Sequence, residues 1–328
     1  MDTGEDTRHM PKIRVFEGFA GYGGASFGLK RSGLNYEVVG MSEFDKFASQ
    51  LLAQNFPGIK NWGDITKIDP KELPDFDLFT GGFPCQPFSS AGMQLGFDDK
   101  YGRGTLFFHI IRICKEKHPK YLLLENVKGL TQKKFADTFE TMKQLLKDLG
   151  YGEIAYAVLN SKDYGIPQNR ERLWMFARIG GLPENFNIVP PKIALKYRFG
   201  DFLDSVVPPE LYLSEAQIAH LKVKHNIASF FVEEPLCFDV YNKKIKRDAM
   251  CITITQPEHN SLRVIEKPKE GKEIVRKMSI DEQFRFMGFE DGELDYSGHS
   301  YSQMSKRAGN GWDVNLVGIL LKHIFSQL

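Results

Sequence analysis

Four cysteines in 328 residues (Cys85, Cys114, Cys237 and Cys251) form no CxxC pair and no metal-ligand cluster. Neither a disulfide framework nor a metal site therefore organises this chain, and free thiols point to a reducing, cytoplasmic compartment. No apolar stretch reaches the ~20 residues that span a bilayer. No basic n-region followed by an apolar h-region opens the chain, so nothing in it reads as a membrane or secretory segment. Excess charge of one sign is missing too. A net charge of +1 excludes no class, because a nucleic-acid enzyme needs only a local cluster of bases. There is no internal repeat. With 42% hydrophobic and 26% charged residues the composition is that of an ordinary soluble globular protein, long enough for one large core and a smaller appended domain. The polar, acidic leader Met1 to Met10, ending in His9-Met10 like a cloning remnant, is set apart from the fold.

What is present centres on the run Phe79-Thr80-Gly81-Gly82-Phe83-Pro84-Cys85-Gln86-Pro87-Phe88-Ser89-Ser90. An apolar strand (Phe76 to Phe79) breaks at two glycines and presents a cysteine in a turn that cannot continue as strand or helix. Open α/β sheets place their ligands at carboxyl ends of strands, which makes Cys85 a candidate nucleophile. A lone cysteine is otherwise a small buried hydrophobe.

Taken in order, Ile13 to Phe16 predicts a strand running into the glycine-rich turn Glu17 to Gly24, with a helix from Ala25 to Ser32. A second strand, Tyr36 to Met41, ends in Ser42-Glu43-Phe44. There Glu43 suits either a ribose diol or the N-terminus of the next helix, and Phe44 suits an adenine face. A helix (Lys46 to Asn55) leads to a third loop, Gly63-Asp64-Ile65-Thr66, which makes the Cys85 strand the fourth. The glycine-spaced loop Phe88 to Thr105 has the make-up of a lid. A helix (Leu106 to Lys117) with an apolar stripe, a fully apolar strand ending in Glu125-Asn126-Val127, a helix (Phe135 to Gly150), and strands at Ile154–Leu159 and Leu173–Ala177 complete the alternation. The expected class is α/β with a doubly wound, Rossmann-like sheet over 11–180. A smaller, mostly β or irregular domain over 181–270 follows, and helices over 271–328 return to the first domain.

The ordered segments Phe19-Ala20-Gly21-Tyr22-Gly23-Gly24, Gly82-Phe83-Pro84-Cys85-Gln86, Glu125-Asn126-Val127, Gln168-Asn169-Arg170-Glu171-Arg172 and Gly309-Asn310 resemble those of cytosine-5 DNA methyltransferases of the bacterial or phage restriction-modification type. The resemblance implies an S-adenosylmethionine-dependent methyltransferase sheet and a target-recognition domain at 181–270. It implies Cys85 as the nucleophile adding to cytosine C6, a protonated Glu125 at ring N3, and Arg172, with Arg170 behind it, holding the base's O2 and positioning Glu125. Phe19, Gly21, Gly23, Glu43, Phe44, Asp64, Ile65 and Asn310 would contact S-adenosylmethionine, Glu43 through the ribose and Phe44 against the adenine. Two departures from the commoner pattern stand out: Glu17-Gly18 in place of Asp-Leu, and Gly311 where a serine is common.

The implied partner is double-stranded DNA with its target base rotated out, without metal or membrane. The protein is expected to be monomeric, with a cognate restriction endonuclease as functional partner. Candidate DNA contacts are Gln86, Ser89, Arg103, Gln168, Thr253 and Thr255, with Gln256, His259, Asn260 and Arg263 as base readers in a hairpin after Thr255. The run Lys243 to Arg247 reads as a phosphate contact or a solvated face. The rivals are a tRNA-methylating relative, whose Cys-Phe-Thr run is absent here, and a non-catalytic DNA-binding protein on the same fold.

Overall fold

Alternating apolar runs and helical stretches build a mixed six-stranded sheet in the computed structural model, which describes residues 11–84, 106–257 and 262–328. The strands in chain order are β1 (Ile13–Gly18), β2 (Tyr36–Ser42), β3 (Leu78–Gly82), β4 (Tyr121–Val127), β5 (Ala155–Asn160) and, beyond a two-residue strand β6 (Gln168–Asn169), β7 (Glu171–Arg178). Their spatial order is β2-β1-β3-β4-β7-β5. β1 pairs in parallel with β2 and β3, and β3 with β4, whereas β7 runs antiparallel to β4. The chain moves outward from β1 to β2 and then returns to the other side of β1 as β3. That reversal leaves a switch point at the carboxyl ends of β1 and β3, where open α/β sheets bind ligands.

Helices α1 (Gly24–Ser32), α2 (Lys46–Asn55), α3 (Leu106–Lys117) and α4 (Ala136–Asp148) connect these strands. The α3 stripe of Phe107, Ile110, Ile111 and Cys114 is buried, and Leu122 to Leu124 of β4 are at most 1% exposed, as expected of an inner strand covered on both faces. The Phe16 ring stacks 5.2 Å from Phe76 and 6.0 Å from Phe79 in the same core.

Within the six-stranded sheet the strand count differs from the sequence expectation. No strand forms between α2 and Gly63: the segment touches β2 through the single parallel bridge Met41↔Asn61, so the strand leading to Cys85 is the third. Residues 59–63 are too short and polar to extend the sheet.

The chain divides into two compact units, one of Met1–Leu159, Glu171–Pro191 and Leu316–Leu328, the other of Asn160–Arg170 and Lys192–Asn315. Residues 271–315 thus group with 192–270. The second unit contains α5 (Glu215–His225), β8 (Leu236–Asp239), β9 (Lys244–Lys246), β10 (Cys251–Ile252), β11 (Leu262–Lys269), β12 (Lys272–Arg276), α6 (Ile280–Arg285) and α7 (Tyr301–Asn310); α8 (Val314–Phe325) begins there and ends in the first unit. An antiparallel sheet of order β12-β11-β8-β9 packs Phe238, Ile265 and Val275 with Phe230 and with Ile218 of α5. Helix α5 stands where short strand-like pieces were expected. Its signature is Ser214-Glu215-Ala216-Gln217, a reciprocal capping box closed between Ser214 and Gln217.

Candidate active site

At the end of β1 the chain turns with Phe19, Gly21 and Gly23 all at positive φ (55°, 59° and 87°). For phenylalanine this conformation costs on the order of 1–3 kcal/mol, and such strain tends to persist at ligand sites. Glu17, nearly fully buried, accepts from the amides of Ala25 (2.8 Å) and Ser26 (3.0 Å) and from the Ser26 hydroxyl (2.5 Å). It thereby satisfies the first N–H groups of α1, which no side chain at the capping position itself does. Burial pushes its carboxyl up to about 7, against the pull of those three donors.

At the tip of β2, Glu43 Oε2 accepts from the Gly21 amide (2.9 Å) and Oε1 from the Asp45 amide (2.7 Å). The sequence left Glu43 either a ribose acid or a helix acid, and the capping task falls to Asp45, whose carboxylate accepts from Phe47 and Ala48. Phe44 lies 79% exposed, and a Cβ added at Gly21 would meet nothing within 4 Å. Open space beside a strained turn, an acid and a bare aromatic face fits a purine nucleoside. Asp64 accepts from the Thr66 amide and hydroxyl, which outweigh its burial and hold it below its ordinary value. Ile65 is buried, and its carbonyl accepts from Arg112.

Cys85, Gln86, Ser89, Arg103, His259 and Asn260 lie outside the described residues. The strand that precedes Cys85 in the chain is described. Gly82 of β3 pairs with Glu125 of β4, and the Asn126 amide donates to the Phe83 carbonyl (2.9 Å) while its oxygen accepts from the Val127 amide (2.8 Å). Glu125 lies opposite Trp174, so Arg172, two residues before Trp174, shares its face as a diagonal neighbour. The Arg172 Nε reaches Glu125 Oε1 at 3.2 Å, with side chains only 19% and 12% exposed. In the sequence Asn126 stands only as a letter of the Glu-Asn-Val motif; its hold on Phe83 arises because β3 and β4 are adjacent.

The other described site candidates lie in the second unit. Arg170 Nη1 donates to the Ile254 carbonyl (3.0 Å), and Nη2 donates to the carbonyls of Gly309 (3.2 Å) and Gly311 (2.6 Å). Its guanidinium thus holds backbone of the second unit, to which Arg170 itself belongs. Gln168, a candidate DNA contact, is fully buried: Nε2 donates to the Phe286 carbonyl (2.6 Å) and Oε1 accepts from the Ile254 amide (3.0 Å). Gln168 and Arg170 therefore grip both sides of Ile254, continuing by side chains the short parallel ladder of β6 and β10. The Thr253 hydroxyl donates to the Asn169 carbonyl (2.7 Å), while Thr255 and Gln256 are partly exposed. Arg263 is not in a hairpin after Thr255. It lies within β11, an inner strand opposite Phe238, because the buried apolar residues on either side of it, Leu262, Val264 and Ile265, draw it into the sheet. The tight hairpin instead joins β11 to β12 through Glu270 and Gly271, both at positive φ. Asn310 is exposed at the end of α7.

Among the described residues no group of three His, Cys, Asp or Glu could hold a metal ion, and no helix is long and apolar enough to cross a membrane.

Comparison with known proteins accords with this geometry. The chain is 38% identical over 308 residues to the Type II methyltransferase M.NgoBI of Neisseria gonorrhoeae, covering 91% of this chain and 89% of that protein. It is 35% identical over 328 residues to M.HaeII of Haemophilus aegyptius, covering 97% and 95%. The match to M1.ScrFI of Lactococcus lactis subsp. cremoris, 43% identical over 212 residues, covers 64% of this chain and 53% of that protein, about half its length. In fold the chain is similar to the Dnmt2 methyltransferase of S. pombe, with a TM-score of 0.74 at 19% identity over 96% of this chain and 99% of the other. The family model for C-5 cytosine-specific DNA methylases matches residues 13–326. The chain therefore belongs to the C-5 cytosine-specific DNA methylase family and is by class a DNA cytosine-5 methyltransferase.

Proposed function

We propose that the protein methylates C5 of a cytosine rotated out of a specific duplex DNA sequence, as the modification enzyme of a restriction-modification system and as a soluble cytoplasmic monomer. The observation that carries this reading is the Glu125–Arg172 pair, one strand away from the strand that delivers Cys85. Cytosine C6 is a poor electrophile, and addition of the Cys85 thiolate there drives negative charge into the ring at N3 and O2. A protonated Glu125 supplies a proton at N3, and Arg172 stabilises O2, so both act where charge develops. S-adenosylmethionine, when bound, supplies the electrophilic methyl group that C5 takes up, and would leave as its thioether, S-adenosylhomocysteine. A base then removes the C5 proton, the C6–S bond breaks, N3 returns its proton to Glu125, and the thiolate of Cys85 is restored.

Phe19, Gly21, Gly23, Glu43, Phe44, Asp64 and Ile65 would hold the donor, with Glu43 on the ribose and Phe44 on the adenine. The exposure of Phe44 and the open space at Gly21 support that assignment. The 181–270 segment would read the bases flanking the target, with Thr253, Thr255 and Gln256 on its DNA side.

The test is covalent trapping. Duplex DNA carrying 5-fluorocytosine, incubated with a tritiated methyl donor, is expected to form a denaturation-resistant adduct with the wild type and none with Cys85→Ser. Methylation of transfer RNA in preference to duplex DNA would replace this reading with the RNA alternative. Robust turnover by the serine variant would remove Cys85 as nucleophile.

A further inference from the structure

Asn61 belongs to no motif, yet its side-chain amide is engaged in four hydrogen bonds. Oδ1 accepts from the amides of Glu43 (3.0 Å) and Gly63 (3.0 Å), and Nδ2 donates to the Glu43 carbonyl (3.0 Å) and the Ser49 hydroxyl (3.0 Å). That is the full complement for a primary amide. Its position in the fold explains the arrangement. Up to Met41, β2 is served by backbone of the 60–62 segment, through Met41 N–H to the Lys60 carbonyl (3.0 Å) and Trp62 N–H to the Met41 carbonyl (2.7 Å). Two residues on, the ladder has ended. The Asn61 amide takes the place of the missing peptide, offering Glu43 one acceptor and one donor. The Ser49 hydroxyl adds a second donor to the Glu43 carbonyl (3.0 Å).

The consequence falls on two acids. With its backbone clamped on both sides, Glu43 directs its carboxylate toward the Gly21 and Asp45 amides. The same amide holds Gly63, the residue that turns the chain into Asp64. We infer that Asn61 is the positioning residue for the donor's ribose: it sets where the Glu43 carboxylate meets the diol. This rests on the proposed role of Glu43 in holding the methyl donor. Asn61 touches no ligand on this view and acts wholly through Glu43.

Titration calorimetry with S-adenosylhomocysteine and with its 2′,3′-dideoxy analogue tests the inference on wild type, Asn61→Ala, Glu43→Gln and the double variant. Loss of a charge-assisted hydrogen bond predicts about a tenfold weaker affinity for S-adenosylhomocysteine in Asn61→Ala, with less than about a twofold change for the dideoxy ligand. The double variant should match Glu43→Gln within about twofold, because residues acting through one another are not additive. Should Asn61→Ala fail to fold, Asn61→Asp keeps the acceptor for both amides but sets a carboxylate oxygen against the Glu43 carbonyl, and the same diol-selective loss is expected. Equal weakening for both ligands, or losses that add to those of Glu43→Gln, would make Asn61 a merely structural residue. A wild type that binds the two ligands equally well would instead overturn the ribose assignment of Glu43, and this inference with it.

Discussion

Glu17 shows how one buried acid couples the start of a helix to pH. Its carboxyl, raised by burial from 4.5 to about 7, holds its proton more tightly folded than unfolded. The contribution is therefore fully favourable below about pH 4.5 and is lost as pH rises through about 7, by about 3 kcal/mol in all. Thermal unfolding from pH 4.5 to 8 is expected to show this decline in the wild type and to lose that part of the slope in Glu17→Gln. An unchanged slope would mean that Glu17 does not titrate there. The two arginines of Gln168-Asn169-Arg170-Glu171-Arg172 should also separate. Arg172→Ala is expected to lower methyl transfer by about 10²–10³-fold in a folded protein, as when a charge-stabilising donor is removed. Arg170→Met should mainly destabilise, by roughly 1–3 kcal/mol for each of the three carbonyls left without its donor. A melting curve and a single-turnover rate on each variant decide this, and a stable but inactive Arg170→Met would return that residue to the chemistry.

At the level of elements, the paired strands that set the site are short and joined by side chains. Residues of β6 and β10 share only two register pairs, and Gln168, Asn169 and Arg170 extend the contact to Thr253 and Ile254. Gly309 belongs to the same arrangement. A Cβ there would lie 2.3 Å from the Gln256 nitrogen and 2.4 Å from the Thr255 carbonyl carbon, backbone atoms with little room to yield. Gly309→Ala should therefore destabilise by about 1–3 kcal/mol, the usual cost of overpacking, and weaken DNA binding through the displaced 255–256 segment. A melting temperature and DNA affinity equal to wild type would show that α7 or this segment moves aside at no cost.

For the molecule as a whole, the proposed extrusion of the target base would have an energetic signature. Rotating a paired cytosine out of the stack costs a few kcal/mol, and a mismatch lowers that cost. Contacts to the flanking bases and phosphates are unchanged, so the difference is expected as tighter binding, about tenfold for each ~1.4 kcal/mol. Cys85→Ala, in which no covalent bond can form, should bind a mismatched target more tightly than a matched one at fixed salt. Equal affinities would show that the base stays stacked in the ground-state complex.

Sequence order alone carried the alternation of strands and helices in the first unit, the glycine turn, the glutamate at the tip of β2 and the family motifs. These are local signals, in which periodicity, turn residues and contiguous letters do not depend on distant neighbours. Only the tertiary structure decided which motif side chains face one another. Strand register makes Glu125 and Arg172 diagonal neighbours, while the break between β6 and β7 turns Arg170, two residues earlier, toward backbone of the second unit. The same limit explains Asn61 and Arg263. One amide replaces a peptide neighbour and one arginine is drawn into a strand, because hydrogen-bonding groups at a ladder's end and apolar residues beside a charge are satisfied by whatever the fold brings near.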